Sequence, residues 1–273
     1  MWQKNFFRII EINPTELCNM KCVFCPRAYD YPNSNLHMSI DTIEALIEQL
    51  DSLPALHTIH FAGRGEPTLH KYCGEMMDMF TKYQQDKRPN LKLDFVTNGK
   101  RLDQFKDSLK TANIKLNIYD ESTMTPREAW DKYKSWGNIE LFDRRTSNPW
   151  NGTHPLGYHN RGGYVNINMT RTADLSHERY GLLCEKPFYV LYVNWNGEYN
   201  LCCNDWNDIK VLGNIFDTPI EQFIFSDELK QYQQTVVRGR LLNPCASCNR
   251  PLKPKWVKEM GTEAIDEVVN SLK

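Results

Sequence analysis

Cys18, Cys22 and Cys25 stand in the stretch C-N-M-K-C-V-F-C, with three and then two residues between successive thiols. No other feature constrains the chain as much, because this spacing brings three thiolates to one metal centre and leaves a fourth coordination position without a protein ligand. A structural zinc or an ordinary ferredoxin cluster closes its shell with four protein groups. The incomplete shell implies that something other than protein completes it.

Further segments support that reading in a fixed order. Apolar His57-Thr58-Ile59-His60-Phe61 reads as a strand and runs into Gly63-Arg64-Gly65-Glu66-Pro67. Leu93-Asp94-Phe95-Val96 reads as a second strand that ends in Thr97-Asn98-Gly99, and Phe24 is the aromatic residue before the third cysteine. Together these segments resemble the radical S-adenosylmethionine (SAM) superfamily. The resemblance implies that the three cysteines hold a four-iron four-sulfur cluster, with the amino and carboxylate groups of SAM on the open iron. Cleavage of SAM then gives a deoxyadenosyl radical that takes a hydrogen atom from the substrate. It also implies that Gly63 and Gly65 let the backbone approach the methionine end of SAM. Glu66 is expected to accept from the SAM ammonium, Thr97 and Asn98 to lie at its ribose and methionine, and Phe24 to pack beside the adenine. Arg64 stands where the family has a second glycine; the flanking glycines and Glu66-Pro67 keep the segment recognisable.

A second cysteine group follows. Cys184, Gly197, Cys202, Cys245 and Cys248 resemble the Twitch domain, the shortened relative of the SPASM domain, in which four thiolates fully ligate an auxiliary four-iron four-sulfur cluster. Gly197 has its own reason to be there. Val190 to Trp195 and Glu198 to Cys202 are β-rich runs joined by Asn196-Gly197, a strong hairpin signal that turns Cys202 back toward Cys184. The text from Cys203-Asn204-Asp205-Trp206 to Leu212-Gly213-Asn214-Ile215 fits the family's linker to the last cysteine pair. Zinc remains the competing ligand for such a set.

The 273 residues suit a core over 1–170 and a small metal-stapled module over 171–273. The 33 Lys and Arg are dispersed among 34 Asp and Glu, so nothing advertises nucleic acid or an anionic membrane. No apolar run reaches a membrane span, and the first residues lack a signal peptide's apolar region. The cysteines are therefore expected in a reducing cytoplasm, where metal ligation outweighs disulfides. The sequons at Asn151 and Asn168 are read as chance matches.

Strands alternate with helices along the chain. Expected strands are Arg8 to Asn13, His57 to Phe61, Leu91 to Val96, Lys115 to Tyr119, Ile139 to Phe142 and Tyr164 to Ile167. Ser39 caps a helix with the apolar stripe Ile43, Leu46, Ile47 and Leu50. Helices are also expected over Tyr72 to Tyr83, Asp103 to Leu109, from the Thr125-Pro126-Arg127-Glu128 capping box to about Ser135, and from about Pro254 to the end. Repeated β-α units imply an α/β fold with a parallel sheet. By the resemblance this is a partial (β/α)6 TIM-like barrel with the cluster at its C-terminal mouth, followed by a Twitch domain of hairpin and helices.

The polar stretch from Arg144 to Gly163 is too long for a simple turn and reads as functional. It contains Asn160-Arg161-Gly162-Gly163, a segment that Twitch and SPASM enzymes share, in which the resemblance turns Arg161 toward the substrate. Arg145, Tyr158 and His159 are weaker candidates. The reaction expected is a two-electron dehydrogenation of a secondary alcohol on a small polar substrate, with the auxiliary cluster as electron acceptor and Arg161 positioning the hydroxyl. Such an enzyme needs an electron donor such as flavodoxin or ferredoxin. A peptide maturase shares the architecture; against it, the chain enters its first strand almost at once, leaving no separate leader-binding domain. An epimerase would need a free thiol, and Cys73 and Cys203 remain, the first expected to pack in the core. A zinc or electron-carrier protein is the alternative outside enzymes.

Overall fold

Eight strands form one continuous sheet in the computed structural model, which describes residues 3–22, 25–119, 124–144, 164, 184–238, 242–248 and 261–272. The strands are β1 (Ile9–Ile12), β2 (Thr58–Phe61), β3 (Lys92–Thr97), β4 (Asn113–Ile118), β5 (Ile139–Asp143), β6 (Val190–Val193), β7 (Glu198–Asn200) and β8 (Val211–Asn214). Their order is β5-β4-β3-β2-β1-β6-β7-β8. All pairs from β5 through β1 to β6 are parallel, and β6-β7-β8 is antiparallel. The Asn196-Gly197 hairpin joins β6 to β7 with Gly197 at φ +81, and β6 extends the core sheet beside β1.

Period-two alternation divides the sheet into two chemistries. Ile10, Ile12, Ile59, Phe61, Leu93, Phe95, Ile114, Leu116 and Ile118 are fully buried on the helix side. The helices Ile40–Gln49 and Cys73–Lys87 cover them with Ile43, Leu46, Met76, Met77 and Phe80; the rings of Phe61 and Phe80 meet edge to face at 5.0 Å. Each such side chain contributes about 1.5 to 3 kcal/mol through burial. On the other face, Glu11 sits across from His60 and His60 across from Asp94, and Lys115 lies across from Glu140. Lys115 bonds Asp94 at 2.5 Å. The sheet therefore has an apolar outside and a charged inside.

The helix starts follow their caps. Ser39 Oγ accepts from the Thr42 N–H at 3.1 Å, and the Thr125 capping box opens the helix Pro126–Tyr133. The second helix runs on to Lys87, past the expected end at Tyr83. The expected helix over Asp103 to Leu109 is instead a 3-10 turn, Leu102–Phe105, followed by further turns. Leu102 and Leu109 are the only fully buried anchors of that segment, too few to bury a helical stripe. Tyr164 is described but the rest of the strand expected there is not, and the last helix is described over Thr262–Ser271. No helix among the described residues is long and apolar enough to cross a membrane.

A second, smaller core joins Phe6, Phe188, Tyr189, Val190, Val236, Val268 and Leu272, with Cys184 and Cys245 packed against it. Gln233 Nε2 donates to the Pro187 carbonyl at 2.9 Å, fastening the helix Asp227–Val237 to the segment after Cys184.

Candidate functional site

A cavity of about 490 Å³ opens at the C-terminal ends of β1 to β5. Cys18, Cys22, Cys25, Gly63, Gly65, Glu66, Thr97 and Asn98 share its wall with the inner-face residues Glu11, His60, Lys115 and Asn117. Cys203 and Trp206 close it from the C-terminal module, and Arg64 from the glycine loop after β2.

The cysteine loop follows β1 directly and is braced by side chains. The Cys18 N–H donates to Asn33 Oδ1 at 2.8 Å, and the Cys25 N–H to the Cys22 carbonyl at 2.8 Å. Buried Arg27 donates to the carbonyls of Glu16 and Pro32, each at 2.6 Å, and to that of Arg64 at 2.9 Å, while pairing with the Glu16 carboxylate at 3.3 Å. Arg27 thus ties the cysteine loop to the glycine loop.

The glycines are needed for contacts within the chain itself. A Cβ on Gly65 would lie 2.1 Å from the Thr15 carbonyl oxygen, and one on Gly63, at φ +104, would strike the Asn13 side chain. The Glu66 N–H donates to the Leu17 carbonyl at 2.7 Å. The Glu66 carboxylate is enclosed and accepts from Thr97 Oγ1 at 2.6 Å, Thr68 Oγ1 at 2.7 Å and the Asn98 N–H at 2.8 Å. Burial pushes its pKa up and these donors pull it down. Asn98 Nδ2 reaches Asn19 Oδ1 at 2.7 Å. Glu66 therefore welds the loop after β2 to the loop after β3.

Burial pushes the Cys18 thiol up to about 11, so a metal that takes its thiolate must displace a proton. Among the described residues no three His, Cys, Asp or Glu side chains converge as ligands of a single ion. Three soft thiols around one cavity wall suit a multi-iron cluster, whose ligands stand further apart than those of one ion.

In the C-terminal module the hairpin delivers Cys202 among Cys184, Cys203, Cys245 and Cys248. Burial and then these neighbouring thiols push its pKa well above the ordinary value, although the residue is only partly buried overall. The donor set again suits an iron–sulfur cluster. Tyr232 Oη donates to the Asn243 carbonyl at 3.0 Å, holding the turn that carries Cys245 and Cys248.

Cys203 faces the cavity and hydrogen-bonds Glu11. Glu11 is buried; burial raises its pKa, but Lys186 at 3.1 Å, His60 and Cys203 outweigh this and hold it down at about 2. Cys73 is buried in the main core. Phe24, Arg145, Tyr158, His159 and Arg161 lie outside the described residues. Sequence reasoning missed Glu11, His60, Lys115 and Arg27; polar residues alternating within the apolar strand runs were the available signal for the first three.

Residues 12–142 match the radical SAM superfamily, and residues 184–249 match an iron–sulfur cluster-binding domain, SPASM. An S-adenosyl-L-methionine-dependent 2-deoxy-scyllo-inosamine dehydrogenase of Niallia circulans is 26% identical over 248 residues, covering 89% of this chain and 93% of that protein. A GTP 3',8-cyclase of Nautilia profundicola is 32% identical over 124 residues, 44% of this chain and 36% of that one. In fold, the chain is similar to BtrN in complex with AdoMet and 2-DOIA, with TM-score 0.73, 23% identity and coverage of 89% and 93%. It is also similar to Streptococcus suis SuiB bound to precursor peptide SuiA, with TM-score 0.61, 13% identity and coverage of 82% and 66%. The chain belongs to the radical SAM superfamily, as an enzyme that uses SAM and iron–sulfur clusters and carries a C-terminal SPASM-type domain.

Proposed function

We propose that the chain dehydrogenates a secondary alcohol on a small, polar, amine-bearing ring. One observation carries this reading. The cavity that holds the cysteine loop is floored by Glu11, His60, Lys115 and Asn117 and closed by Cys203 and Trp206 of the second cysteine module. The polar floor beside the three-cysteine loop suits a polar molecule, and the similarity to the inosamine dehydrogenase points to an aminocyclitol.

In this reading Cys18, Cys22 and Cys25 hold the SAM-binding cluster, and Gly63, Gly65, Glu66, Thr97, Asn98 and Phe24 form the SAM site. Cys184, Cys202, Cys245 and Cys248 hold the auxiliary cluster, in a module that begins at about residue 171. When bound, these groups supply hydrogen-atom abstraction and take up the remaining electron. The chain's own residues do the rest. Ionised Glu11 and Asn117 offer acceptors to hydroxyl and ammonium groups, Lys115 offers a donor, and His60, which burial keeps neutral, lines the wall where the hydroxyl proton would be taken up. Arg161 is assigned to positioning the hydroxyl, since a pKa above about 12 makes it a poor base. A flavodoxin or ferredoxin of the cytoplasm would supply the reducing electron.

Cys203 favours a second reading, an epimerase, because its thiol lines the same cavity and could return a hydrogen atom to a substrate radical. Turnover of an aminocyclitol in deuterium oxide, followed by mass analysis, separates the two. Dehydrogenation gives a product lighter by two hydrogens and survives Cys203→Ala. Solvent deuterium at an unoxidised carbon, lost in Cys203→Ala, would replace it with epimerisation.

A further inference from the structure

Arg64, the residue that departs from the family's glycine pattern, has its backbone in one half of the molecule and its side chain in the other. Its N–H donates to Asn13 Oδ1 at 2.9 Å and its carbonyl accepts from Arg27 Nε at 2.9 Å, so the main chain belongs to the loop after β2. The side chain is 1% exposed and reaches into the segment after Cys202. Nη2 donates to the Asp205 carbonyl at 2.6 Å, Nη1 donates to Asp208 Oδ2 at 2.7 Å, and Nη2 also pairs with Asp208 Oδ1. Nη1 further donates to Tyr31 Oη at 3.0 Å, and the guanidinium lies 5.9 Å from the ring centres of both Tyr31 and Trp206.

The grip continues to the cysteine. The Asp205 N–H donates to the Cys202 carbonyl at 3.1 Å, and the Asp205 carboxylate accepts from the N–H groups of Ile209 and Lys210, each at 3.1 Å. Residues 202–210 therefore form one hydrogen-bonded knot that buried Arg64 grips, with Asn200 Nδ2 also donating to Asp208 Oδ1 at 2.9 Å. Two hydrogen bonds, Arg64 to Asp205 and Asp205 to Cys202, separate the glycine loop from a thiol-bearing residue of the second group.

We propose that Arg64 is a positioning residue that couples SAM binding at the Gly63–Gly65 loop to the auxiliary cluster bound through Cys202. The coupling rests on the ligand and SAM-site assignments made above. Ordering either end fixes Arg64 and so favours the ordered form of the other, and this linkage is reciprocal. A lysine cannot replace it, because one ammonium cannot span both Asp208 oxygens and the Asp205 carbonyl.

The test is a cycle of SAM dissociation constants, measured by anaerobic titration of iron-loaded full-length protein: wild type, Cys245→Ala, Arg64→Gly and the double variant. Arg64→Gly restores the family's glycine, leaving the loop free to adopt its shape. Cys245→Ala should remove about half the iron and weaken SAM binding about five-fold or more in the wild-type background, but not in Arg64→Gly. Arg64→Lys should behave like Arg64→Gly. Adding SAM should slow amide hydrogen exchange across residues 202–210 in wild type only. If Arg64→Gly does not fold, Asp208→Asn, which alters a partner on the surface, should show the same loss of exchange protection. Full iron content in Cys245→Ala would sink the ligand assignment. Half the iron with an unchanged SAM constant would leave that assignment standing and overturn the coupling.

Discussion

The two cysteine groups are assembled by opposite routes. Cys18, Cys22 and Cys25 lie within one loop that side chains fasten mainly to its own backbone: Asn33 holds the Cys18 N–H, and Arg27 gathers the carbonyls of Glu16 and Pro32 together with that of Arg64 in the glycine loop. Cys184, Cys202 and the Cys245–Cys248 pair come from three separate stretches of the chain, brought together by the hairpin, by Gln233 on the Pro187 carbonyl and by Tyr232 on the Asn243 carbonyl. The first group depends on local hydrogen bonds and the second on completed tertiary structure. A local ligand loop should tolerate strain elsewhere in the fold, whereas a dispersed ligand set should not.

The largest effects come from removing the thiols. Changing Cys18, Cys22 and Cys25 together to Ala should lower iron from about eight to about four per chain and abolish SAM cleavage, while Cys245→Ala should lose the other half and still cleave SAM. Iron analysis and deoxyadenosine formation check both. Cleavage in the triple variant would erase the distinction between the groups. Next in size is Arg27→Met, which leaves the Glu16 carboxylate buried beside Tyr31 with Arg64 3.9 Å away as its remaining cation. Breaking a buried pair costs about 3 to 5 kcal/mol. Urea unfolding of the metal-free protein should show about the lower figure, and a loss under about 1 kcal/mol would mean that the loop is not held by Arg27.

The sequence made the first group legible because its signals are local. A three-cysteine spacing, a glycine loop and a capping box each occupy a few adjacent residues, and β1, β2 and the helices Ile40–Gln49 and Pro126–Tyr133 lie where their patterns place them. The hairpin was legible for the same reason. What was hidden is long-range: the pairing of β6 with β1, the reach of Arg64 to Asp208, and the meeting of Glu11 with Lys186. Each joins residues more than a hundred positions apart, and no local pattern announces such a contact. The turns over Leu102–Phe105 were misread because helical spacing alone does not reveal how little apolar surface a segment has to bury.

The segment that follows the glycine loop has a pH signature at His70. His70 Nε2 donates to the Met38 carbonyl at 2.8 Å and Nδ1 accepts from the Tyr72 N–H at 3.2 Å, so the neutral ring is the form that fits. Burial pushes its pKa down from 6.5 to about 4. The unfolded chain therefore takes up a proton below pH 6.5 that the folded protein refuses until about pH 4. Stability is intact above 6.5 and is lost as pH falls toward 4, by at most about 3 kcal/mol. Thermal unfolding of wild type and His70→Gln across that window should converge as pH drops. Parallel curves would mean that His70 does not carry this dependence.

The smallest effect tests the dispersed group directly. Gly197 sits at φ +81 in the β6–β7 turn, and an added Cβ would lie 2.8 Å from Ile215 Cγ2. An L-residue in this left-handed region costs about 1 to 2 kcal/mol, and part of the contact can be relieved by moving the isoleucine methyl. Gly197→Ala should therefore lower the stability of the metal-free protein by about that amount. The hairpin carries Cys202, so the strain should fall on the second group alone. Iron released by a chelator should come out faster from the auxiliary set than in wild type, while the iron held by the Cys18 loop, measured in a Cys245→Ala background, should leave at an unchanged rate. Equal acceleration of both pools would show that the first group also depends on the completed fold, and the contrast between a local and a dispersed ligand set would fail.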